Sequence, residues 1–496
     1  MNLGFHFSKA LLLLGLAAMS ACSDIELENP WFDAGKQTLA QRLAVKPDYR
    51  RAKNVILFIG DGMGVSTVTA TRIYDGQSRG EHGEENVLPF ETFPHVALIK
   101  TYNANQQVAD SAGSGAAMHT GVKTRAGVLG ISEQARRGDC GNGLKFSVPT
   151  MAEYAKKANM SVGIVTTTRL THATPASVFA HSPEREWESD AELSDDARQK
   201  GCKDIARQLV EFSENGGIDI ALGGGRANFL PQALESGRRL DTDLIAEWNK
   251  KDKAQVVFTA DELEAVKVEN GVKLLGLFAD SHLAYMLKRP SVDNEPTLSQ
   301  MTAKAIDLLE ANNSGYYLMV EGGRIDQAHH EGIAGKALAE TQEFAKAVDV
   351  ALAKVDLNET LILVTADHSH VFTMAGYPTR GNPILGLVKG NDDHGEPASA
   401  PSLAMDGKPF TTLAYANGPG AISGQRPQPA TGPLAVQQAT VPTVKIAPDG
   451  ATELYESHGG EDVTLYAVGP RAHIVGGVLE QNLVFHIMAY SLGWMH

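Results

Sequence analysis

Tyr316-Tyr-Leu-Met-Val320-Glu321-Gly-Gly-Arg-Ile-Asp326-Gln-Ala-His329-His330 decides how the rest of this chain is read. The first five residues form an apolar and aromatic run of the kind that makes a buried strand. Gly322 and Gly323 then permit a sharp turn, and a helical stretch begins near Ile325. On a helix, Asp326 stands three residues from His329 and four from His330. Either imidazole then shares a face with the carboxylate, with Cβ atoms about 5–6 Å apart. With Glu321 at the strand end, the segment is a platform for a divalent metal. A solvated Asp/His pair is the commoner meaning of such spacing taken alone, so the reading depends on its company.

The strand-then-helix pattern recurs. Strand-like apolar runs fall at 55–59, 96–99, 162–165, 218–222, 361–364 and 463–468, and helix-like stretches at 150–158, 204–214, 299–310 and 334–352 alternate with them. This alternation predicts a three-layer α/β fold with a largely parallel central sheet. A mostly polar amphipathic helix over 29–43 precedes it. From 375 to 456 the texture changes to Pro, Gly, Ala and Thr, as in Gly395-Glu-Pro-Ala-Ser-Ala-Pro, and the α/β pattern then resumes. A stretch anchored at both ends reads as a loop-rich surface insertion. The chain has no internal repeat.

At 496 residues the chain can build one large α/β domain or two modest ones, and 43% hydrophobic with 21% charged residues is ordinary for a globular protein. The net charge of −15, with basic residues no denser than the pairs Arg136-Arg137 and Arg238-Arg239, argues against a nucleic-acid partner. Residues 1–22 read as a signal peptide. Lys9 supplies the positive region and Leu11 to Ala18 an apolar core too short for a bilayer, which needs about 20 residues. The ending Met19-Ser-Ala-Cys22 resembles a bacterial lipoprotein signal, with Cys22 as the lipidated residue; ordinary cleavage near the small residues is the rival. Both place the protein outside the cytoplasm, in the periplasm or on the cell surface, and Ser23 after Cys22 points a lipid anchor to an outer membrane. Cys140 and Cys202 remain as a pair in an oxidising compartment, and closing that loop stabilises by about 4 kcal/mol in the chain-entropy model.

Chemistry-bearing residues follow the apolar runs. Asp61 follows 55–59 in Gly60-Asp-Gly-Met-Gly64, Glu321 follows 316–320, and Asp367-His368 follow 361–364. Parallel α/β sheets bind ligands beyond the carboxyl ends of their strands, so these groups can converge on one crevice. A lone acidic residue there is usually a helix cap or turn former, an account that strains to cover three. In Val108-Ala-Asp110-Ser111-Ala-Gly-Ser-Gly-Ala-Ala117, small residues suit a tightly packed helix start whose N–H groups face an anion, although Asp110 can serve merely as a cap. No Gly-x-Ser-x-Gly elbow surrounds Ser111, so triad chemistry is not indicated, and a metal can supply the activation instead.

Five motifs in chain order resemble the alkaline phosphatase family: Asn54-Val-Ile-Leu-Phe-Ile-Gly-Asp61-Gly-Met-Gly, Asp110-Ser111-Ala, Glu321-Gly-Gly-Arg-Ile-Asp326 through His330, Thr365-Ala-Asp367-His368-Ser-His, and Ser457-His458-Gly-Gly-Glu-Asp. The likeness runs from about Asn29 nearly to the C-terminus. Glu321-Gly-Gly-Arg-Ile-Asp and Tyr415-Ala-Asn-Gly-Pro-Gly bring it closer to the animal-type branch. It implies one phosphatase domain over 29–496, with 375–456 as a crown-like insertion, 29–43 as an N-terminal arm, and a homodimer. It also implies hydrolysis of phosphate monoesters to alcohol and inorganic phosphate through a phosphoserine on Ser111, at two zinc ions and one magnesium.

Carried over by motif, the resemblance assigns Asp326, His330 and His458 to one zinc, choosing His330 over His329. Asp61, Asp367 and His368 go to the second zinc, and Asp61, Thr174 and Glu321 to magnesium. Imidazole-containing sets suit zinc and an all-oxygen set suits magnesium. Arg185, eleven residues after Thr174, matches the family's phosphate-clamping arginine, whose fork takes two oxygens at once. His172 stands near magnesium without ligating it, His370 is hydrogen-bonded in support, and His119 is structural. Ala279 stands where the animal enzymes place a calcium-binding carboxylate, so the resemblance does not carry a calcium site over to this chain. The nearest rivals are a sulfatase or phosphodiesterase of the same superfamily and, from another class, a lipid-anchored metal or phosphate binder without turnover. The residues around Ser111 lack the sulfatase pattern, and neither a nucleophile nor a ligand is missing.

Overall fold

The apolar run that opens the decisive segment is the strand Tyr316–Glu321, near the middle of a ten-stranded sheet. The computed structural model describes residues 28–495 except 241, 292–293 and 447–450. In order across the sheet the strands are Gly477–Glu480, His95–Lys100, Val463–Val468, Thr360–Ala366, Asn54–Gly60, Tyr316–Glu321, Ser161–Arg169, Ile220–Gly224, Lys273–Leu277 and Ala254–Val257. Val463–Val468 runs antiparallel to both neighbours, and the other neighbouring pairs are parallel. Every residue of the three central strands, Thr360–Ala366, Asn54–Gly60 and Tyr316–Glu321, is buried. Strands covered on both faces lose the alternation of a half-exposed sheet and read as unbroken apolar runs.

The covering helices fall into two groups. Val65–Ser78, Leu298–Leu309 and Arg324–His330 each pack on the long helix Ala334–Lys354, while Ser111–Thr120 packs with Ala173–Ala176 and Leu483–Ser491. The result is the three-layer α/β architecture expected from the alternation. Three strands of this sheet escaped the sequence reading: Ala254–Val257, Lys273–Leu277 and Gly477–Glu480. The first and last are four-residue edge strands with partly exposed side chains, and Gly276 breaks the apolar run of the second. The stretch expected to be helical over 204–214 is helical only over Ile205–Glu211, where Asp204 caps the Arg207 N–H and Phe212 turns away from helical geometry.

The chain divides into two units, Met1–Lys46 and Pro47–His496. In the first, the described structure is the helix Pro30–Ala44, started by Asn29, whose side chain accepts the Trp31 N–H, with proline at the first helical position. The expected signal peptide over 1–22, with Cys22, lies outside the described residues. Among the described residues, no helix is long and apolar enough to cross a membrane. In the second unit, the 375–456 region is more than loop. Phe372–Met374, Leu413–Asn417 and Gln438–Val441 form a three-stranded sheet, and Val444–Ile446 pairs with Thr452–Leu454. Phe372, Leu413 and Tyr415 seat that small sheet on Ala70, Ile73 and Leu338 of the helical layer. Cys140 and Cys202 are disulfide-bonded with Cα atoms 6.3 Å apart, packed against Trp187 and Leu193.

Candidate active site

Strand register brings the acidic residues together. Ile59 pairs with Glu321, Thr166 also pairs with Glu321, and Gly60 pairs with Ala366. Asp61, Glu321 and Asp367 therefore sit at one level at the carboxyl ends of neighbouring strands, all wholly buried. Gly62, at φ +70°, makes the turn after Asp61, and a Cβ there would lie 2.4 Å from the His370 ring. Its N–H donates to Asp367 Oδ1 at 3.0 Å, which also accepts the His368 N–H at 2.9 Å.

Ser111 begins the helix Ser111–Thr120 and is 2% exposed. Its Oγ lies 3.1 Å from His368 Nε2 and 3.4 Å from Asp61 Oδ1. Asp110 caps the helix through the Gly113 N–H, 3.1 Å from Oδ1, yet it does more. Its Oδ2 accepts the Gly127 N–H at 2.9 Å and Arg185 Nη1 at 3.2 Å. Burial favours the neutral acid, but Arg185 and the two N–H groups outweigh it and lower the Asp110 pKa. Arg185 Nη2 lies 3.2 Å from His172 Nε2, so the guanidinium is gripped from two sides beside Ser111.

Asp326 and His330 face each other across one helical turn of Arg324–His330, Oδ1 to Nε2 at 3.1 Å. His458 Nε2 lies 3.3 Å from that oxygen and 3.1 Å from His330 Nε2, so three donor atoms converge. Burial pushes the His330 pKa down to about 4, leaving the neutral ring that a metal requires. His329 points elsewhere, with Nε2 3.0 Å from Thr67 Oγ1 and Nδ1 2.8 Å from the Tyr415 hydroxyl. Of the two histidines, His330 is the one turned toward Asp326. His370 reaches Asp326 Oδ1 at 2.8 Å and Glu456 Oε2 at 2.5 Å; burial opposes its charge, but the two carboxylates raise its pKa to about 10. His119 is buried and bonded to the Gly115 carbonyl and Ser177, away from these groups.

The donor sets fit metal ions. Asp61, Asp367 and His368 form one compact group; Asp61, His172 and Glu321 form another; Asp326, His368, His370 and His458 form a third. Burial, then Asp367, Asp326 and Glu321, raise the Asp61 pKa well above its ordinary value, and burial raises Glu321 to about 7 against hydrogen bonds from Thr166 and Thr168. So many carboxylates in one dry crevice call for cations. Three buried oxygens, Asp61 Oδ2, Glu321 Oε1 and Thr174 Oγ1, have no hydrogen-bond partner, as does His172 Nδ1. Unpaired oxygen donors suit a hard cation. Ser111, Arg185, His172, Asp326, His330 and His458 all open on a cleft of about 870 Å³.

Several contributors went unread in the sequence. Thr166 and Thr168 end the strand Ser161–Arg169 and bond to Glu321, and hydroxyls at a buried strand end were the signal. Tyr455 stacks on His330 with ring centroids 3.8 Å apart, and Glu456 supports both His330 and His370. Both close the irregular insertion, where no periodicity marks them.

A buried serine among carboxylates and imidazoles, at the carboxyl ends of a parallel sheet and beside a clamped arginine, defines a metal-dependent hydrolase of anionic esters. The sequence profile described as alkaline phosphatase matches residues 52–494. The chain belongs to the alkaline phosphatase family, as its motifs implied, and is a phosphoric monoester hydrolase acting on phosphate monoesters. The tissue-nonspecific alkaline phosphatase of Gallus gallus is 43% identical over 509 residues, 97% of this chain and 93% of that protein. The alkaline phosphatase of Gadus morhua is 42% identical over 482 residues, 93% of this chain and 96% of that one. The solved structure of Thermus thermophilus alkaline phosphatase matches with a TM-score of 0.65 at 26% identity, covering 91% of this chain and 93% of that one.

Proposed function

We propose that this phosphatase works through Ser111 as nucleophile, with two zinc ions and one magnesium. Asp326, His330 and His458 hold the first zinc, Asp61, Asp367 and His368 the second, and Asp61, Thr174 and Glu321 the magnesium. Bound there, the cations offset the buried carboxylates, favour the ionised Ser111 hydroxyl and withdraw charge from phosphoryl oxygens. The Arg185 fork binds two non-bridging oxygens of the substrate, held in plane by Asp110 and His172. The Ser111 N–H, at the start of its helix, donates to a non-bridging oxygen. Ser111 Oγ forms a bond to phosphorus as the alcohol oxygen leaves, giving phosphoserine. Water then attacks phosphorus, releasing inorganic phosphate and returning the hydroxyl.

The observation that carries this reading is the place of Ser111 Oγ, within 3.4 Å of both Asp61 and His368. Ser111→Ala should abolish p-nitrophenyl phosphate turnover at alkaline pH while zinc content stays at the wild-type level. Unchanged turnover would remove Ser111 from the nucleophile's role.

The same reading treats 29–496 as one phosphatase domain, with 375–456 as a crown-like insertion that joins two chains into a homodimer. Exposed Tyr377, Leu403 and Met405 on that insertion support an interface there. The signal at 1–22 exports the protein to the periplasm or cell surface, and a lipid on Cys22 holds it to a membrane, the outer one by the Ser23 rule. Cys22→Ser should move the activity from the membrane fraction to the soluble one, and continued sedimentation with membranes would discard the anchor.

A further inference from the structure

Glu456 is wholly buried, two residues before His458, and each of its polar groups is engaged at the metal centre. Its N–H donates to the His330 carbonyl at 3.1 Å, and its own carbonyl accepts from His330 Nδ1 at 2.6 Å. Its side chain takes His370 Nδ1 on Oε2 at 2.5 Å and the Val371 N–H on Oε1 at 2.9 Å. His370 in turn meets Asp326 Oδ1 at 2.8 Å. The pairing of His458–Gly459 with Ser369–His370 sets His458 opposite His370, so the segment after the insertion is registered against the same histidine.

We propose that Glu456 is the positioning residue of the centre formed by Asp326, His330 and His458. Its main chain orients His330, and its carboxylate, acting through His370, orients Asp326. The main-chain clasp has a chemical consequence. A carbonyl can only accept, so His330 carries its proton on Nδ1 and turns the Nε2 lone pair toward the space shared by Asp326, His458 and the Tyr455 hydroxyl. The side-chain arm explains why an acid is buried here at all. A fully desolvated carboxylate is costly, and this one is held by the His370 imidazole and the Val371 N–H, with the His330 ring 3.7 Å from Oε2, so its neighbours all belong to the surroundings of Asp326. The inference rests on these three ligands being the zinc site, which the proposed function assigns.

The test follows zinc itself. In the zinc-loaded enzyme, Glu456→Gln keeps the main-chain clasp and the side-chain shape but sets an amide NH₂ against one of two donors. Zinc release into a chromogenic chelator should become about 10–100-fold faster, the usual effect of removing an outer partner of a metal ligand. In saturating zinc, kcat should recover while KM stays unchanged. If the carboxylate acts through His370, Glu456→Gln should add nothing to the zinc loss of His370→Asn. A wild-type release rate in Glu456→Gln, or additive effects in the double variant, would overturn the proposal. Should Glu456→Gln fail to fold, His370→Asn, which leaves every Glu456 main-chain bond in place, must show the faster release, and a wild-type rate there would also overturn it. Failure of the underlying assignment reads differently, since Asp326→Ala would then leave the zinc stoichiometry unchanged.

Discussion

Replacing Arg185 with lysine isolates the geometry of the phosphate clamp from its charge. The guanidinium is held by Asp110 at 3.2 Å on Nη1 and by His172 at 3.2 Å on Nη2, and its side chain is only 16% exposed. Burial opposes its charge, but Asp110 and Glu186 more than restore it, so Arg185 stays protonated across the alkaline range. Lysine can keep the charge and the bond to Asp110, but a single ammonium cannot also span two phosphate oxygens. One charge-assisted hydrogen bond is then lost, about 1.5–3 kcal/mol. At 1.36 kcal/mol per decade this lowers kcat/KM by about 10- to 150-fold. The assay is steady-state release of p-nitrophenol, paired with inhibition by inorganic phosphate, whose Ki should rise because the same oxygens are held in the product. Zinc content and melting temperature should match the wild type, separating this loss from misfolding. If kcat/KM stays within about threefold of the wild type and the phosphate Ki does not move, Arg185 is a structural partner of Asp110 and the clamp is refuted.

Removing the metals with a chelator should abolish turnover and lower the melting temperature, because Asp61, Asp367, Glu321 and Asp326 are left crowded in one buried crevice; a melting temperature indifferent to added zinc and magnesium would contradict this. Glu340 lies outside the metal centre, 4% exposed, and burial raises its pKa from 4.5 to about 7. A raised carboxyl pKa gives stability that is full below 4.5 and lost as pH rises through 7, on the order of 3 kcal/mol in all. Glu340→Gln should therefore leave stability near pH 4.5 little changed and increase it above pH 7, the Gln carbonyl still accepting the Met286 N–H. Equal shifts in melting temperature at pH 5 and pH 8.5 would show that the Glu340 charge carries no cost. Reducing the Cys140–Cys202 disulfide, which closes a sequence separation of 62 residues, should cost about 4 kcal/mol in the chain-entropy model, and an unchanged urea midpoint under reductant would reject it.

The parts of the fold legible in the sequence were those with a strong period or a strong composition. The strands Asn54–Gly60, Tyr316–Glu321 and Thr360–Ala366 are buried on both faces, so each reads as an apolar run that stops within three residues of an acidic one. Asp61, Glu321 and Asp367 could be picked out because each stands where an apolar run stops. Helical spacing also brought His330 to Asp326, but it could not exclude His329. The family motif made that choice, and Thr67 and Tyr415, far apart in sequence, hold the His329 ring away from Asp326. Glu456 and Tyr455 were illegible for a related reason. They work from an irregular segment whose position is fixed by contacts with His330 and His370, not by any local pattern. The short edge strands carried too few residues to show a period.

The centre depends on register more than on any single ligand. Glu321 ends its strand beside Ile59 on one side and Thr166 on the other, while Gly60 pairs with Ala366. Asp61 and Asp367 each follow one of those paired positions, so four strands deliver their polar ends to one plane. A slip of one residue in any pair would move a ligand by about 3.3 Å along the strand and turn its side chain to the other face of the sheet. Either displacement exceeds the roughly 0.5 Å tolerance of a working site. Asp326 and His330 escape that constraint because the Gly322-Gly323 turn and one turn of helix carry them, and this is the arm that needs support from outside the sheet. His370 and Glu456 supply it. The decisive segment thus joins two kinds of precision. Glu321 is placed by the sheet, whereas Asp326 and His330, five and nine residues later, are placed by the segment that closes the insertion. Damage to the insertion should therefore loosen the Asp326–His330–His458 centre first and leave the Asp61–Thr174–Glu321 centre intact. Sequential loss of the two metals from a variant lacking the hairpin Val444–Ile446/Thr452–Leu454 would bear this out, and simultaneous loss would show that one cooperative unit holds both.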